Sequence, residues 1–164
     1  MKILSFDPSG NFNEGDGKTG WVYINDYELI KFGQVKAIDY TNRQEYWKAH
    51  TDLIQSLDID IIILEDFRLY KNKIHSQINS EMETSKLLGY LEMFAYMNDY
   101  RFYKQMASQA KSRFNDKILI YKGYIRKDKT GKYYINGIMV SRHVIDALRH
   151  ALLYKIKESK NGKR

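Results

Sequence analysis

Four side chains have the type and the placement to do chemistry: Asp7, Glu65, His143 and Asp146. Asp7 closes the apolar run ILSF, and Glu65 closes IIIL. Such runs read as strands buried on both faces. If the two strands are parallel neighbours, their carboxylates emerge side by side at one end of a sheet, where α/β proteins bind ligands. Two unpaired carboxylates would repel each other there. A divalent cation removes that cost, and oxygen ligands favour Mg²⁺ or Mn²⁺. The stretch SRHVIDALRH, residues 141–150, offers a third wall. Val144, Ile145, Leu148, Leu152 and Leu153 recur at helical spacing as a core face. His143, Asp146 and His150 form a stripe beside it, spanning roughly 60° of arc at about 100° per residue. Asp146 at the same point as Asp7 and Glu65 would complete the acidic set of a two-metal phosphodiesterase. His143 would then bind metal or assist proton transfer. A lone helical Asp is more often an ion-pair partner, here of Arg142 or Arg149. His150 reads as a supporting or packed group, and His50 and His75 as surface residues. Gly17-Lys18-Thr19 resembles part of a phosphate-binding loop, but that motif needs a Gly five residues earlier, where Phe12 stands. No nucleotide cofactor is expected.

A sheet must position these groups. The run before Asp7, Trp21–Asn25 and Glu28–Ile38 read as three antiparallel strands in close succession, after a Gly- and Asn-rich loop. Asn42 caps a helix through Leu57, with Tyr46, Trp47, Leu53, Ile54 and Leu57 facing inward. Residues Asp58–Asp66 form the buried parallel strand. Ser80 opens a second helix, with Glu83 completing a capping box. RFYKQMA is a fifth strand and SQAKSRF a helical turn or two. GYIRKDKTGKYYING is a hairpin or a long basic loop, and the last helix starts near Ser141. This order gives an α/β fold: a five-stranded mixed sheet flanked by helices, matching the ribonuclease H-like arrangement. The second helix carries more apolar residues than one face needs, which points to a homodimer seam over about 80–98.

The chain suits one domain over residues 1–164, with a basic and disordered tail from about 155. It has no run of 18 apolar residues, so no membrane span is expected. The N-terminus lacks the pattern of a signal peptide. Cysteine is absent, which removes disulfides and thiolate metal sites and fits a reducing compartment. The net charge of +7 is unevenly spread. Residues 1–100 hold 10 Lys and Arg against 16 Asp and Glu, and residues 101–164 hold 17 against 4. A basic half points to a polyanion, above all nucleic acid.

FDPS, then TGW, then LEDFRLY, then SRHVIDALRHA: together and in this order these resemble the RuvC family of Holliday-junction resolvases, in particular its short phage-type members. The resemblance implies a ribonuclease H-like fold and a homodimer. It implies paired symmetric nicks in a four-way DNA junction, with Mg²⁺ or Mn²⁺, two per site. The family's acidic tetrad falls on Asp7, Glu65 and Asp146, with His143 where most members carry Asp. The aromatic residue that the family inserts into the junction falls on Phe67 or Tyr70, with Arg68, Lys71 and Lys73 on the same loop to meet phosphates. Lys104, Lys111, Arg113 and Lys122 are candidates for the positive floor under the DNA. The implied location is the cytoplasm, that of the host if a phage encodes the chain. Two other functions remain open: a broader debranching endonuclease for forks, flaps and three-way junctions, and a noncatalytic basic module on the same fold.

Overall fold

The computed structural model describes residues 1–13, 15–66 and 82–161. Three strands open the chain as an antiparallel meander: β1 (Lys2–Asp7), β2 (Lys18–Asn25) and β3 (Glu28–Lys36). After α1 (Arg43–Gln55), β4 (Ile61–Glu65) pairs parallel with β1. After α2 (Glu83–Met97), β5 (Phe102–Gln105) pairs parallel with β4. The sheet order is β3-β2-β1-β4-β5, so β1 is central. Two short helices follow, α3 (Ala107–Arg113) and α4 (Asp116–Tyr121). A second sheet of β6 (Arg126–Lys127), β7 (Tyr133–Ile135) and β8 (Ile138–Val140) leads into α5 (Arg142–Asn161).

Period-2 alternation sorts the strands between two cores. Ile3, Val22, Ile24, Ile61 and Ile63 pack under Val144, Ile145, Leu148 and Leu152 of α5. Leu4, Phe6, Ile62 and Leu64 pack on the other face against Ile54 of α1 and Leu87 and Leu91 of α2. The continuous apolar runs of β1 and β4 are therefore needed, because both faces are covered.

Several expected elements shift. β2 starts three residues early, since Gly20 pairs with Asp7 and Lys18 with Lys36. β3 ends at Lys36, where one 3₁₀ turn (Ala37–Asp39) takes over. α2 begins at Glu83, after Met82 in a left-handed conformation; Ser80 lies outside the described residues. Glu83 stands at the start of α2, and its Oε2 accepts the Phe12 N–H at 2.8 Å, tying α2 to the loop after β1. α4 was not anticipated; the Asn115 side chain caps it by accepting the Ile118 N–H at 3.1 Å. The basic hairpin region is a three-stranded sheet, turned by Asp128, whose carboxylate accepts the N–H groups of Thr130 and Lys132. The tail expected to be disordered from about 155 is instead helical to Asn161. There Lys155 pairs with Asp26, and Tyr154 donates to Glu158 at 2.7 Å.

One close approach sets the geometry that follows. The first turn of α5 lies directly on β2 at Gly20. A Cβ there would fall 2.2 Å from the His143 carbonyl carbon and 2.3 Å from the Val144 nitrogen, both backbone. Only glycine lets the helix come this close. Gly20→Ala is therefore expected to lower the unfolding free energy by about 1–3 kcal/mol, the usual range for overpacking. It should also move His143 away from Asp7, seen by NMR as a fall in the His143 imidazole pKa. An unchanged denaturation midpoint together with an unchanged titration would refute the close approach.

Candidate active site

Asp7 and Glu65 stand at the carboxyl ends of the central parallel pair, one residue beyond the Phe6–Leu64 register pair. Alternation turns both toward α5, because Ile3 and Ser5 in β1 and Ile61 and Ile63 in β4 face the same way. α5 supplies the rest. His143 Nδ1 donates to Asp7 Oδ2 at 2.7 Å. One turn on, Asp146 is buried and pairs with Arg149 on its own helix, while Lys111 of α3 reaches its other oxygen at 3.2 Å. His150, fully buried, donates from Nε2 to Glu65 Oε2 at 3.0 Å. Each of the three carboxylates thus has a nitrogen partner from α5.

The charges act on one another. Burial pushes the Asp7 carboxyl above its usual range; the charges of Glu65 and Asp146 push the same way, and the His143 hydrogen bond pulls against them. That same bond holds the His143 imidazole above its ordinary value, against burial, with Asp146 and Glu65 adding to the effect. The donor set, three carboxylates and one imidazole, fits a hard divalent cation such as Mg²⁺ or Mn²⁺. Among the described residues, no group of three or more His, Asp or Glu is already gathered around one point to hold such an ion. Their side chains are turned to the basic partners.

Arg149 is the structural knot of this region. It is almost fully buried, donates from Nε to the Phe114 carbonyl at 2.8 Å, and pairs with both Asp146 and Asp116. The expected pairing of Asp146 with Arg142 or Arg149 falls on Arg149, at helical i,i+3 spacing. Asp116 also accepts from Tyr133 at 2.9 Å and Lys127 at 2.8 Å, so the knot fixes α4 and the small sheet to α5.

The loop after Asp7 is held from below. His50 is fully buried rather than on the surface, as its place on α1 beside Tyr46 and Ile54 dictates. Its Nδ1 donates to the Tyr46 carbonyl at 2.9 Å, so Nε2 accepts from the Thr19 hydroxyl at 2.8 Å. Thr19 Oγ1 in turn accepts the Ser9 N–H at 3.0 Å. The only cue in the sequence was that His50 lies one turn after Tyr46. His75 lies outside the described residues, as do Phe67, Arg68, Tyr70, Lys71 and Lys73. Lys104 is tied to Glu92 of α2 at 2.8 Å. Arg113 and Lys122 are exposed at the ends of α3 and α4. Gly17-Lys18-Thr19 runs into β2 instead of a helix.

Two outcomes follow. Burial lowers the His50 pKa to about 4, so as pH falls the unfolded chain takes up this proton first. This contribution is fully present above about pH 6.5 and costs about 3 kcal/mol of stability by about pH 4. Urea unfolding across that range should show the loss, and His50→Gln, which cannot titrate, should flatten that part of the profile. Arg149→Met leaves Asp146 and Asp116 short of a partner and should cost about 3 kcal/mol, the low end for breaking a buried pair, since Lys111 and Lys127 remain. Denaturation unaffected by this change would mean those two lysines suffice.

No family model matches the sequence, and no curated protein matches it. Among solved structures, T. thermophilus RuvC in complex with a Holliday junction substrate shares this fold with a TM-score of 0.66. The likeness covers 98% of this chain and 96% of that one, at 14% identity. A ROK family protein from Streptococcus pneumoniae TIGR4, in complex with sucrose, gives a TM-score of 0.43 at 10% identity, covering 87% of this chain and 49% of that one. The chain has the RuvC-like, ribonuclease H-type fold. Among the described residues, no helix is long and apolar enough to cross a membrane.

Proposed function

We propose that this chain, built on the fold of a junction-bound RuvC, is a divalent-metal-dependent endonuclease that resolves four-way DNA junctions by paired symmetric nicks. What supports the proposal is that Asp7 and Glu65 stand at the neighbouring carboxyl ends of β1 and β4, that His143 hydrogen-bonds Asp7, and that the charges of Glu65 and Asp146 act on Asp7. Three like charges brought together from distant parts of the chain serve no packing purpose, but they suit a cation and a phosphodiester.

Asp7, Glu65, Asp146 and His143 would hold Mg²⁺ or Mn²⁺, two ions per site. The bound ions would supply an activated water and neutralise charge on the phosphate and the departing 3′ oxygen. The chain's own groups do the rest. His143, once parted from Asp7, serves as a ligand or moves a proton at Nδ1. Lys111, once parted from Asp146, takes a phosphate oxygen at the cavity it lines with Lys117 and Arg142. Arg113 and Lys122 extend this positive floor, and Lys104 joins it on leaving Glu92. The segment with Phe67, Arg68, Tyr70, Lys71 and Lys73 follows Glu65 directly and would enter the branch point. Stacking of Phe67 or Tyr70 on an unpaired base is worth about 1–3 kcal/mol.

A homodimer would present two such sites to two strands of like polarity. α2 supports this arrangement: Leu87 and Leu91 pack inward, while Met93, Tyr96 and Met97 are exposed large apolar groups on the same helix. The working location is the cytoplasm, that of the host if the gene is carried by a phage.

The test is cleavage of an immobile four-way junction, mapped on every strand, with Mg²⁺ and with Mn²⁺. Paired nicks at symmetric positions are expected. Asp7→Asn, Glu65→Gln and Asp146→Asn should each abolish nicking and leave junction binding intact. Binding without cutting under either metal would make the chain a noncatalytic module. Equal rates on three-way junctions and forks would make it a general debranching nuclease.

A further inference from the structure

We infer that Gln105 and His150 form a positioning pair for Glu65: the Gln105 amide holds the His150 ring, and His150 holds one oxygen of Glu65 so that the other faces the site. The inference rests on the reading of Glu65 as a cation-binding carboxylate.

Glu65 and Gln105 are register partners at the ends of β4 and β5. His150 descends from α5 onto both, with Nε2 3.0 Å from Glu65 Oε2 and Nδ1 3.1 Å from the Gln105 side-chain amide. His150 is fully buried, and Gln105 is 2% exposed. The ring is therefore held between these two side chains, away from water. A carboxylate only accepts, so Nε2 carries a hydrogen and donates to Glu65.

Gln105 Oε1 faces Nδ1, and Gln105 Nε2 is buried without a partner. A half-turn of the terminal amide bond interchanges the two atoms and keeps the contact with the ring. A connected chain results: Gln105 to His150 Nδ1, then His150 Nε2–H to Glu65 Oε2.

The consequence separates Glu65 from its neighbours. Arg149 brings a positive charge to Asp146, which a cation must outcompete. His150 fixes the orientation of Glu65 through one of its oxygens. Partners that orient a ligating side chain in this way commonly change metal affinity about 10–100-fold when removed. A pair that merely packed the core would contribute to stability and nothing else.

The test titrates Mn²⁺ alone into the full chain by calorimetry, without DNA. His150→Phe should bind Mn²⁺ about 10–100-fold more weakly, and Gln105→Met should weaken it to a smaller extent. Junction binding in EDTA should not change in either variant, and excess Mn²⁺ should restore nicking. Should His150→Phe fail to fold, Gln105→Met decides the matter. Unaltered Mn²⁺ affinity in a folded variant overturns the inference. If the unmutated chain binds Mn²⁺ and cuts, that failure is confined to the positioning pair. If it neither binds Mn²⁺ nor cuts, the endonuclease reading fails and this inference with it.

Discussion

Like charge held away from water is the constraint that the rest of the structure answers. Asp7 and Asp146 are buried, Glu65 is close to it, and the fields of Glu65 and Asp146 both reach Asp7. In a low-dielectric setting such a group must be neutralised, partnered or filled by a cation. Here each carboxylate has its own donor, and all three donors come from α5. The arrangement is stable as it stands. It also offers a cation its ligands: His143 and Arg149 would give way at Asp7 and Asp146, while His150 stays on Glu65.

α5 does two jobs at once because helical periodicity separates them. Val144, Ile145, Leu148 and Leu152 seat it on the sheet, and the stripe beside them carries His143, Asp146 and His150. The seat determines whether the stripe is useful. Gly20 on β2 lets the first turn of the helix sit against the strand, which sets His143 within hydrogen-bond reach of Asp7. The far end of the same helix is fastened by Lys155, which pairs with Asp26, and by Tyr154, whose hydroxyl accepts from Arg101 at 3.3 Å. Arg149 then links α5 to α4 and the small sheet, so the basic second half of the chain is anchored to the acidic site beside it.

Under the proposed function these features divide the work. The acidic centre would take the cations, and the surrounding lysines and arginines would take the DNA backbone. Lys111 belongs to both, since it pairs with Asp146 and also lines a cavity with Lys117 and Arg142. On the opposite face of the sheet, His50 and Thr19 brace the loop that leaves Asp7. They keep the backbone next to the site in place without adding charge to it.

Local pattern was enough for the skeleton. The runs ILSF and IIIL mark strands covered on both faces, Asn42 marks a helix start, and the spacing in SRHVIDALRH marks both a core face and a polar stripe. These depend on neighbours a few residues away, which a sequence displays directly. The same logic marks Asp7 and Glu65, since a charge at the end of a buried strand is conspicuous, and His143 and Asp146, since they form a polar stripe beside a core face. What needed the tertiary structure was every relation between residues far apart in the chain. That His50 is buried, that Glu83 anchors a loop seventy residues earlier, that Arg149 spans two acids and that Gln105 meets His150 are facts of packing. No local period encodes them, because a buried polar group chooses its partner by the geometry left over once the hydrophobic faces have closed.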